Sequence, residues 1–411
     1  MAQKKKTLKL LILILLFITY FFIAARPIPR ETVLALNWIT SLPGSSTSGI
    51  SDNENGAGTA LSAEPGRFIP FTLENRFGYI NLSGEHILNL VKTSDIYLGQ
   101  NMWTEYSAEP SNIVINNILN NSKITIDNPG GYPVLLDDRI FILGSEQNLL
   151  SEIGENGNVL WTYEFGAPLT AIDAAAGLVL TGSLDGAVEV FNSSGSRIFY
   201  FEPGGSRYSV ILGCAISSNG SRIAVICGID RQRFLLFERL GNTGGEYKII
   251  YHEFLDTGFR RPVRVLFIND DQRVVFEREG GIGSYNIRSR RSIFIPLDGT
   301  ITAIDELGAR GFLFLVTDVT SLDVTSIDVT SLDVTSAPDY LGLNEKKLVG
   351  IKFPHDGWFR FSRNAAQDAI FLRAPFKSND VFLGRAQTTS TGSMLVVGGG
   401  TALISFELEE K

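Results

Sequence analysis

From residue 67 to the end of the sequence, short apolar segments alternate with turns rich in Gly, Asp and Ser. The clearest copy runs from Leu178 to Phe201, and its residues 187–191 read Ala-Val-Glu-Val-Phe. An alternation with a period of two predicts a pleated β-strand. Asp185-Gly186 and Ser194-Gly195 predict tight hairpin turns, because glycine tolerates positive φ angles. The pattern therefore predicts an all-β domain.

Comparable strands begin at intervals of 39, 44, 51, 39 and 82 residues, and the longest interval is interpreted as two units. The beginnings are Arg139, Leu178, Arg222, Arg273, Phe312 and Met394, with weaker ones near Phe77 and Ala369. A period of 40–50 residues in an all-strand sequence is typical of β-propeller blades. We therefore predict a β-propeller over residues 67–411, with about seven blades, or alternatively eight. The final blade lacks a strand in this interpretation, and Phe68–Leu73 is expected to supply it and close the ring.

The composition is consistent with a large β domain, since 44% of the 411 residues are hydrophobic and 41 are glycine. A formal net charge of −8 argues against a nucleic-acid partner, which requires a basic face. The two cysteines, Cys214 and Cys227, flank a predicted hairpin. A single disulfide bridge is one interpretation, and two buried thiols is the favoured one.

The N-terminus combines a basic tail at residues 1–9 with an uncharged apolar run at residues 10–25. Lysines before an apolar segment hold that end in the cytoplasm, so the remaining chain is expected to be exported. The 16 residues of the run span about 24 Å as a helix, against a hydrocarbon core of about 30 Å. An uncleaved transmembrane anchor is favoured over a cleaved signal peptide, and both leave the propeller on the extracytoplasmic side of the inner membrane.

Residues 26–66 are predicted to connect this segment to the propeller. Residues 27–42 are expected to form a short juxtamembrane helix or a plain spacer, and residues 43–66 a flexible linker, because Ser, Gly, Asn and Ala dominate there.

Residues 318–336 contain four copies of a five-residue Asp-Val-Thr-Ser repeat. A period of five suits neither a strand nor a helix. We interpret this segment as a duplicated loop inserted between two strands of one blade.

Two segments carry a family resemblance. Residues 154–161 (Gly-Glu-Asn-Gly-Asn-Val-Leu-Trp) and residues 182–195 resemble the pyrroloquinoline-quinone-type propeller repeat, with Phe199 where its tryptophan stands. Residues 217–225 are more similar to WD-type blades. The superfamily includes quinone-dependent dehydrogenases and non-enzymatic scaffolds, among them a propeller lipoprotein of outer-membrane assembly. The enzymes use a vicinal cysteine pair and an acidic cluster that we do not find here, so the resemblance implies the scaffold branch.

Candidate chemistry is sparse. The three histidines are far apart in sequence, and no metal-binding or nucleophile motif is present. Asp137-Asp138 and Asp270-Asp271 are predicted to lie at turns. Arginines cluster in one part of an otherwise acidic chain, and aromatic residues lie near predicted loops. The candidate partner-binding residues are Arg260, Arg261, Arg264, Arg288, Arg290, Arg291, Trp103 and Trp358.

These observations predict a membrane-tethered, exported scaffold that binds envelope proteins, without catalysis and without a cofactor. The alternatives are a quinone- or calcium-dependent oxidoreductase, and a binder of envelope polysaccharide or peptidoglycan.

Overall fold

A computed structural model describes residues 13–20, 32–42, 68–73, 75–241, 245–255, 260–307, 312–319, 345–353, 369–377, 381–387, 393–399 and 402–410. The chain divides into two compact units, Met1–Ala35 with Leu408–Lys411, and Leu36–Glu407.

The smaller unit contains a short helix at residues 13–20, in which the Thr19 hydroxyl donates to the Leu15 carbonyl oxygen at 2.7 Å. Within the described ranges, no helix has both the length and the hydropathy that a membrane span requires. Residues 10–12 and 21–25 of the predicted membrane segment lie outside the described residues.

The described residues form 31 strands. The first sixteen are β1 (Thr32–Ser41), β2 (Phe68–Leu73), β3 (Arg76–Asn81), β4 (His86–Val91), β5 (Asp95–Leu98), β6 (Met102–Tyr106), β7 (Asn112–Asn117), β8 (Lys123–Asp127), β9 (Gly131–Leu136), β10 (Arg139–Gly144), β11 (Leu149–Ile153), β12 (Val159–Glu164), β13 (Leu169–Ala175), β14 (Leu178–Ser183), β15 (Val188–Phe191) and β16 (Arg197–Phe201). The others are β17 (Ile211–Ile216), β18 (Arg222–Cys227), β19 (Arg233–Arg239), β20 (Tyr247–Phe254), β21 (Val265–Ile268), β22 (Arg273–Arg278), β23 (Gly281–Asn286), β24 (Arg291–Pro296), β25 (Thr300–Leu307), β26 (Phe312–Val319), β27 (Glu345–Lys352), β28 (Ile370–Lys377), β29 (Val381–Gln387), β30 (Ser393–Gly399) and β31 (Ala402–Glu410).

These strands form eight sheets, which are the blades of a β-propeller. Blade 1 contains the three strands β2–β4, and blades 2 to 7 contain four consecutive strands each, from β5–β8 to β25–β28. Blade 8 contains β29, β30 and β31, with β1 in the outermost place. Most first strands of neighbouring blades lie side by side, and β29 lies against both β25 and β2, which closes the ring.

The apolar core lies between the blades. One cluster packs Leu180 and Val190 of blade 4 against Ile211, Val225 and Leu235 of blade 5, and further clusters join the following pairs of blades. A strand between two such clusters is covered on both faces, so all six residues of β17 are buried. Such strands contain continuous apolar runs rather than a strict alternation.

The prediction of an all-β propeller is confirmed, but the favoured count of seven blades is wrong, and the alternative of eight is right. The predicted beginnings at Arg139, Leu178 and Arg222 are the second strands of blades 3, 4 and 5. The weak beginning near Ala369 precedes β28, the fourth strand of blade 7. Blade 2 was missed, because its second strand, Met102–Tyr106, contains polar residues and is only partly buried.

The predicted closing strand is also wrong. Phe68–Leu73 belongs to blade 1, and Thr32–Ser41 completes blade 8, where a helix or spacer was expected. The strand suits this place because residues 38, 40 and 42 face the protein, whereas residues 37, 39 and 41 are exposed. The linker prediction at residues 43–66 falls outside the described residues.

The five-residue repeats lie where they were predicted, between two strands of one blade. Val319 pairs with Glu345 across β26 and β27, and residues 320–344 lie outside the described residues.

The segments that carry the family resemblance form contacts between blades. Trp161 on the outer strand of blade 3 stacks on Phe191 of blade 4, with ring centroids 6.1 Å apart. Gly195, at φ 75°, lies under the same indole, and a Cβ atom there would come within 2.4 Å of it. Phe199 occupies the corresponding place in blade 4 and packs on Tyr247 of blade 5 at 5.2 Å. The turn glycine therefore leaves room for the aromatic ring of the preceding blade.

Ring closure predicts the effect of replacing Trp38. Its indole Nε1 donates to the Leu82 carbonyl oxygen at 2.9 Å, and its ring covers Gly84 of blade 1. We expect Trp38→Ala to lower the free energy of unfolding by about 2 kcal/mol, because a partly buried aromatic contact is lost. Urea denaturation measures this loss. Leu36→Ala is the matched control on the same strand, since 59% of Leu36 is exposed, and equal effects of the two substitutions would contradict the closure contact.

Candidate functional site

Hydrogen bonds between neighbouring blades define one rim of blades 2 to 7, which we call the turn rim. It carries the turns between the first and second strands of each blade. An acidic side chain at or near these turns accepts a hydrogen bond from the next or preceding blade in each case. The pairs are Asp138 with Asn101, Asp137 with Gly177, Asp173 with Ile216, Asp271 with Ser218, and Glu306 with Asn269. The opposite rim carries the segments that connect the last strand of one blade to the first strand of the next. We call these segments crossovers and this rim the crossover rim.

The predicted arginine cluster is divided between these rims. Arg260, Arg261 and Arg264 precede β21 and lie on the crossover rim. Arg288, Arg290 and Arg291 follow β23 and lie on the turn rim, because Asn286 at the end of β23 pairs with Arg273 at the start of β22. The six residues do not form one patch.

Three further arginines from blade 5 lie on the crossover rim. Arg207 lies in the crossover that precedes β17, and Arg231 and Arg233 lie at the turn before β19. The Leu255 amide donates to the Gln232 carbonyl oxygen at 2.8 Å, which places the following crossover beside that turn. We call these six residues the arginine rim: Arg207, Arg231, Arg233, Arg260, Arg261 and Arg264.

Exposed aromatic rings accompany these guanidinium groups. Those of Arg231 and Arg233 lie 4.7 and 4.9 Å from the ring centroid of Phe254, which is 42% exposed. Tyr208 is 57% exposed, and the Arg207 guanidinium lies 5.9 Å from its ring. Arginine and exposed aromatic side chains are enriched where proteins bind other proteins.

Asp230 fixes the position of the Arg207 loop. Its carboxylate accepts hydrogen bonds from the Ser206 hydroxyl and, at 3.1 Å, from the Arg207 amide. The hydroxyl bond is the main reason why the pKa of Asp230 is lowered to about 2. The carboxylate therefore stays ionised at neutral pH and holds the crossover before β17 against the turn between β18 and β19.

Three members of the arginine rim have structural bonds as well. Arg233 donates to the Gly204 carbonyl oxygen, and Arg261 pairs with buried Glu277 at 2.7 Å. Arg264 donates to the carbonyl oxygens of Ile301 and Thr302 at 3.0 and 2.9 Å. Arg207, Arg231 and Arg260 are exposed and are not among these three residues, so they suit a test by substitution.

The aromatic candidates have different environments. Trp103 is partly buried and packs on Phe77 at 5.3 Å between blades 1 and 2, and Trp358 lies outside the described residues.

Both cysteines are buried free thiols, and Cys214 faces Val225 while Cys227 faces Ile211. The favoured interpretation of two buried thiols agrees with the structure. In the described parts of the chain, no group of three or more His, Cys, Asp and Glu side chains is arranged to hold a metal ion.

A cavity of about 590 Å³ lies beside the first strands of blades 4 to 7. Its walls are mostly the first strands β13, β17 and β21. Asp173 and Asp271 lie at its turn-rim end, Arg264 lies at its crossover-rim end, and Cys214 lies between them. The cavity could not be predicted from the sequence, because Asp173 is a single acidic residue within an apolar strand.

Comparison with known proteins identifies the family. The sequence profile of a family described as beta-propeller protein matches residues 1–320. The chain belongs to this family. The narrower pyrroloquinoline-quinone-type assignment is not confirmed by this match.

This propeller is also similar to individual proteins. A protein of Treponema pallidum (strain Nichols), described as an uncharacterized protein, is 26% identical over 291 residues, which are 71% of this chain and 75% of that protein. The structure of BamB from Moraxella catarrhalis matches 91% of this chain and 100% of its own, with a TM-score of 0.52 and 9% identity. The computationally designed Ika8 protein matches 85% of this chain and 98% of its own, with a TM-score of 0.51 and 12% identity. At these identities, the two solved structures support the fold alone.

Asp173 predicts a pH dependence of the stability of this propeller. Burial raises its pKa to about 6, although the amides of Ile216 and Ala174 donate to it. Because the folded state holds this proton more tightly than the unfolded state, the group's contribution to stability is lost as pH rises through about 6. We expect the free energy of unfolding to fall by about 1 kcal/mol between about pH 5 and about pH 7.5 because of this group.

Urea denaturation of the wild type and of Asp173→Asn at both pH values measures this contribution. The asparagine retains an oxygen acceptor and has no titrating proton, so its stability should change less with pH. Identical pH dependence in the two proteins would show that Asp173 does not titrate in this range.

Proposed function

We propose that this protein is an interaction scaffold of the cell envelope that binds an acidic segment of a partner protein at the arginine rim. The observation that carries the proposal is the convergence of six arginines and two exposed aromatic rings from separate stretches of an acidic chain. Guanidinium groups form strong, charge-assisted hydrogen bonds with carboxylates. The proposed role is binding and not catalysis.

The proposed location is the extracytoplasmic side of the inner membrane, with residues 10–25 as the tether. The support is the order of charges in the sequence, with Lys4, Lys5, Lys6 and Lys9 before the apolar run. A tether of this kind would keep the arginine rim near other envelope proteins and raise their effective concentration.

Charge reversal at the exposed arginines tests this function. Arg207, Arg231 and Arg260 are replaced together by glutamate, and the matched control replaces Arg288, Arg290 and Arg291 of the turn rim in the same way. Both variants carry the same change in net charge on exposed residues. Cells producing each full-length protein are treated with a membrane-impermeant crosslinker after their outer layers are permeabilised, and the tagged propeller is purified.

We expect the wild type and the turn-rim variant to recover the same partner, and the arginine-rim variant to lose most of it. The loss should be large, because repulsion replaces several charge-assisted contacts. Equal recovery by the two variants would contradict the role of the arginine rim. If the impermeant reagent failed to modify the propeller until the inner membrane was opened, the proposed location would be wrong.

A further inference from the structure

The two ends of the central cavity have opposite charge. At the turn-rim end, the Asp173 carboxylate accepts from the Ile216 amide at 2.8 Å, and the Asp271 carboxylate accepts from the amide of Ser218 at 2.9 Å and from its hydroxyl at 2.5 Å. These donors are neutral. Among the salt bridges of the described residues, none includes Asp173 or Asp271. This end therefore carries two carboxylates, neither of which forms one of these salt bridges.

At the crossover-rim end, two guanidinium groups share one carboxylate. Arg261 lies 2.7 Å from a Glu277 oxygen, and Arg264 lies 3.9 Å from the other oxygen. Glu277 is almost completely buried, whereas 45% of the Arg264 side chain is exposed. The two guanidinium groups therefore carry one more positive charge than the Glu277 carboxylate balances. Arg264 lines the cavity at this end.

The wall between the two ends includes several apolar residues and has room for a small molecule. It includes Ile172, Leu212, Val265 and Phe267. A volume of about 590 Å³ lies within the usual range of ligand cavities. The four residues of β21 separate Arg264 from the turn that carries Asp271, which corresponds to about 13 Å along the strand. An extended tripeptide is about 10 Å long, and the side chains shorten the distance that it must span.

We propose that the cavity binds a small zwitterion, with its ammonium group at Asp173 and Asp271 and its carboxylate at Arg264. Short peptides with two free termini have this chemistry, and their length suits the separation of the two ends. Charge-assisted hydrogen bonds at both ends would select for two free termini, and the apolar wall would accept side chains. The site shares Arg264 with the arginine rim, but it does not depend on the proposed scaffold role, because the scaffold test replaces Arg207, Arg231 and Arg260 and leaves Arg264 unchanged.

Calorimetric titration of the full-length protein with trialanine tests the proposal, and free alanine is the control that is too short to reach both ends. Trialanine is also used with its N-terminus acetylated, and with its C-terminus amidated. We expect free trialanine to bind, and each blocked form of the peptide to bind about tenfold more weakly or not at all. Binding of alanine as tight as that of trialanine would contradict a ligand that spans both ends. Absence of trialanine binding, or equal binding by blocked and free trialanine, would also overturn the proposal.

The double variant Asp173→Asn with Asp271→Asn removes both charges and retains the oxygen acceptors. Asp271 has a φ of 60°, a conformation that asparagine tolerates well. We expect this variant to bind the free zwitterion at least about tenfold more weakly. Asp230→Asn is the matched control, because Asp230 lies on the crossover rim and is not among the residues that line the cavity. Undiminished binding by the double variant would also refute the site, and the comparison of blocked and free peptides remains decisive if that variant does not fold.

Discussion

The structure depends on the need of each sheet to cover two apolar faces. A blade of three or four short strands cannot bury itself, so each blade is stable only between two neighbours. The core is accordingly a series of clusters between successive blades, and β14, β17 and β23 are buried at every position. This requirement extends around the ring and must be met where its ends join. The strand Thr32–Ser41 and the contacts of Trp38 with blade 1 therefore have structural importance beyond their size.

Much of this architecture could be predicted from the sequence, because apolar strands and glycine turns recur once in each blade. The second strand of each blade gave the clearest apolar pattern, since neighbouring sheets cover both of its faces and neighbouring strands flank both of its edges. Met102–Tyr106 was missed because it is short and partly polar. Thr32–Ser41 was missed because it is about 360 residues away from β31 in sequence. Glu189 fits an alternating pattern as an exposed residue, yet it is buried and paired with Arg197 at 2.9 Å.

The site was predicted less well, because proximity in sequence is a poor guide to position in a propeller. Arg264 and Arg288 belong to one blade but lie on opposite rims, since the strands between them reverse direction. Arg207 and Arg260 are 53 residues apart but lie on the same rim, because each belongs to a crossover. Assigning each arginine to the strand that it precedes or follows would have separated the arginines of the crossover rim from those of the turn rim. No local signal indicated that Asp173 and Arg264 share a cavity.

The ring is closed by the N-terminal strand, which completes the last blade. Hydrogen exchange of the full-length protein, followed by mass spectrometry, tests this closure most directly. We expect the amides in residues 36–41 that bond to β31 to be protected to a degree similar to those of β31, because the two strands form one sheet. Rapid exchange of residues 36–41, with β10 and β18 still protected, would show that the strand does not close the ring.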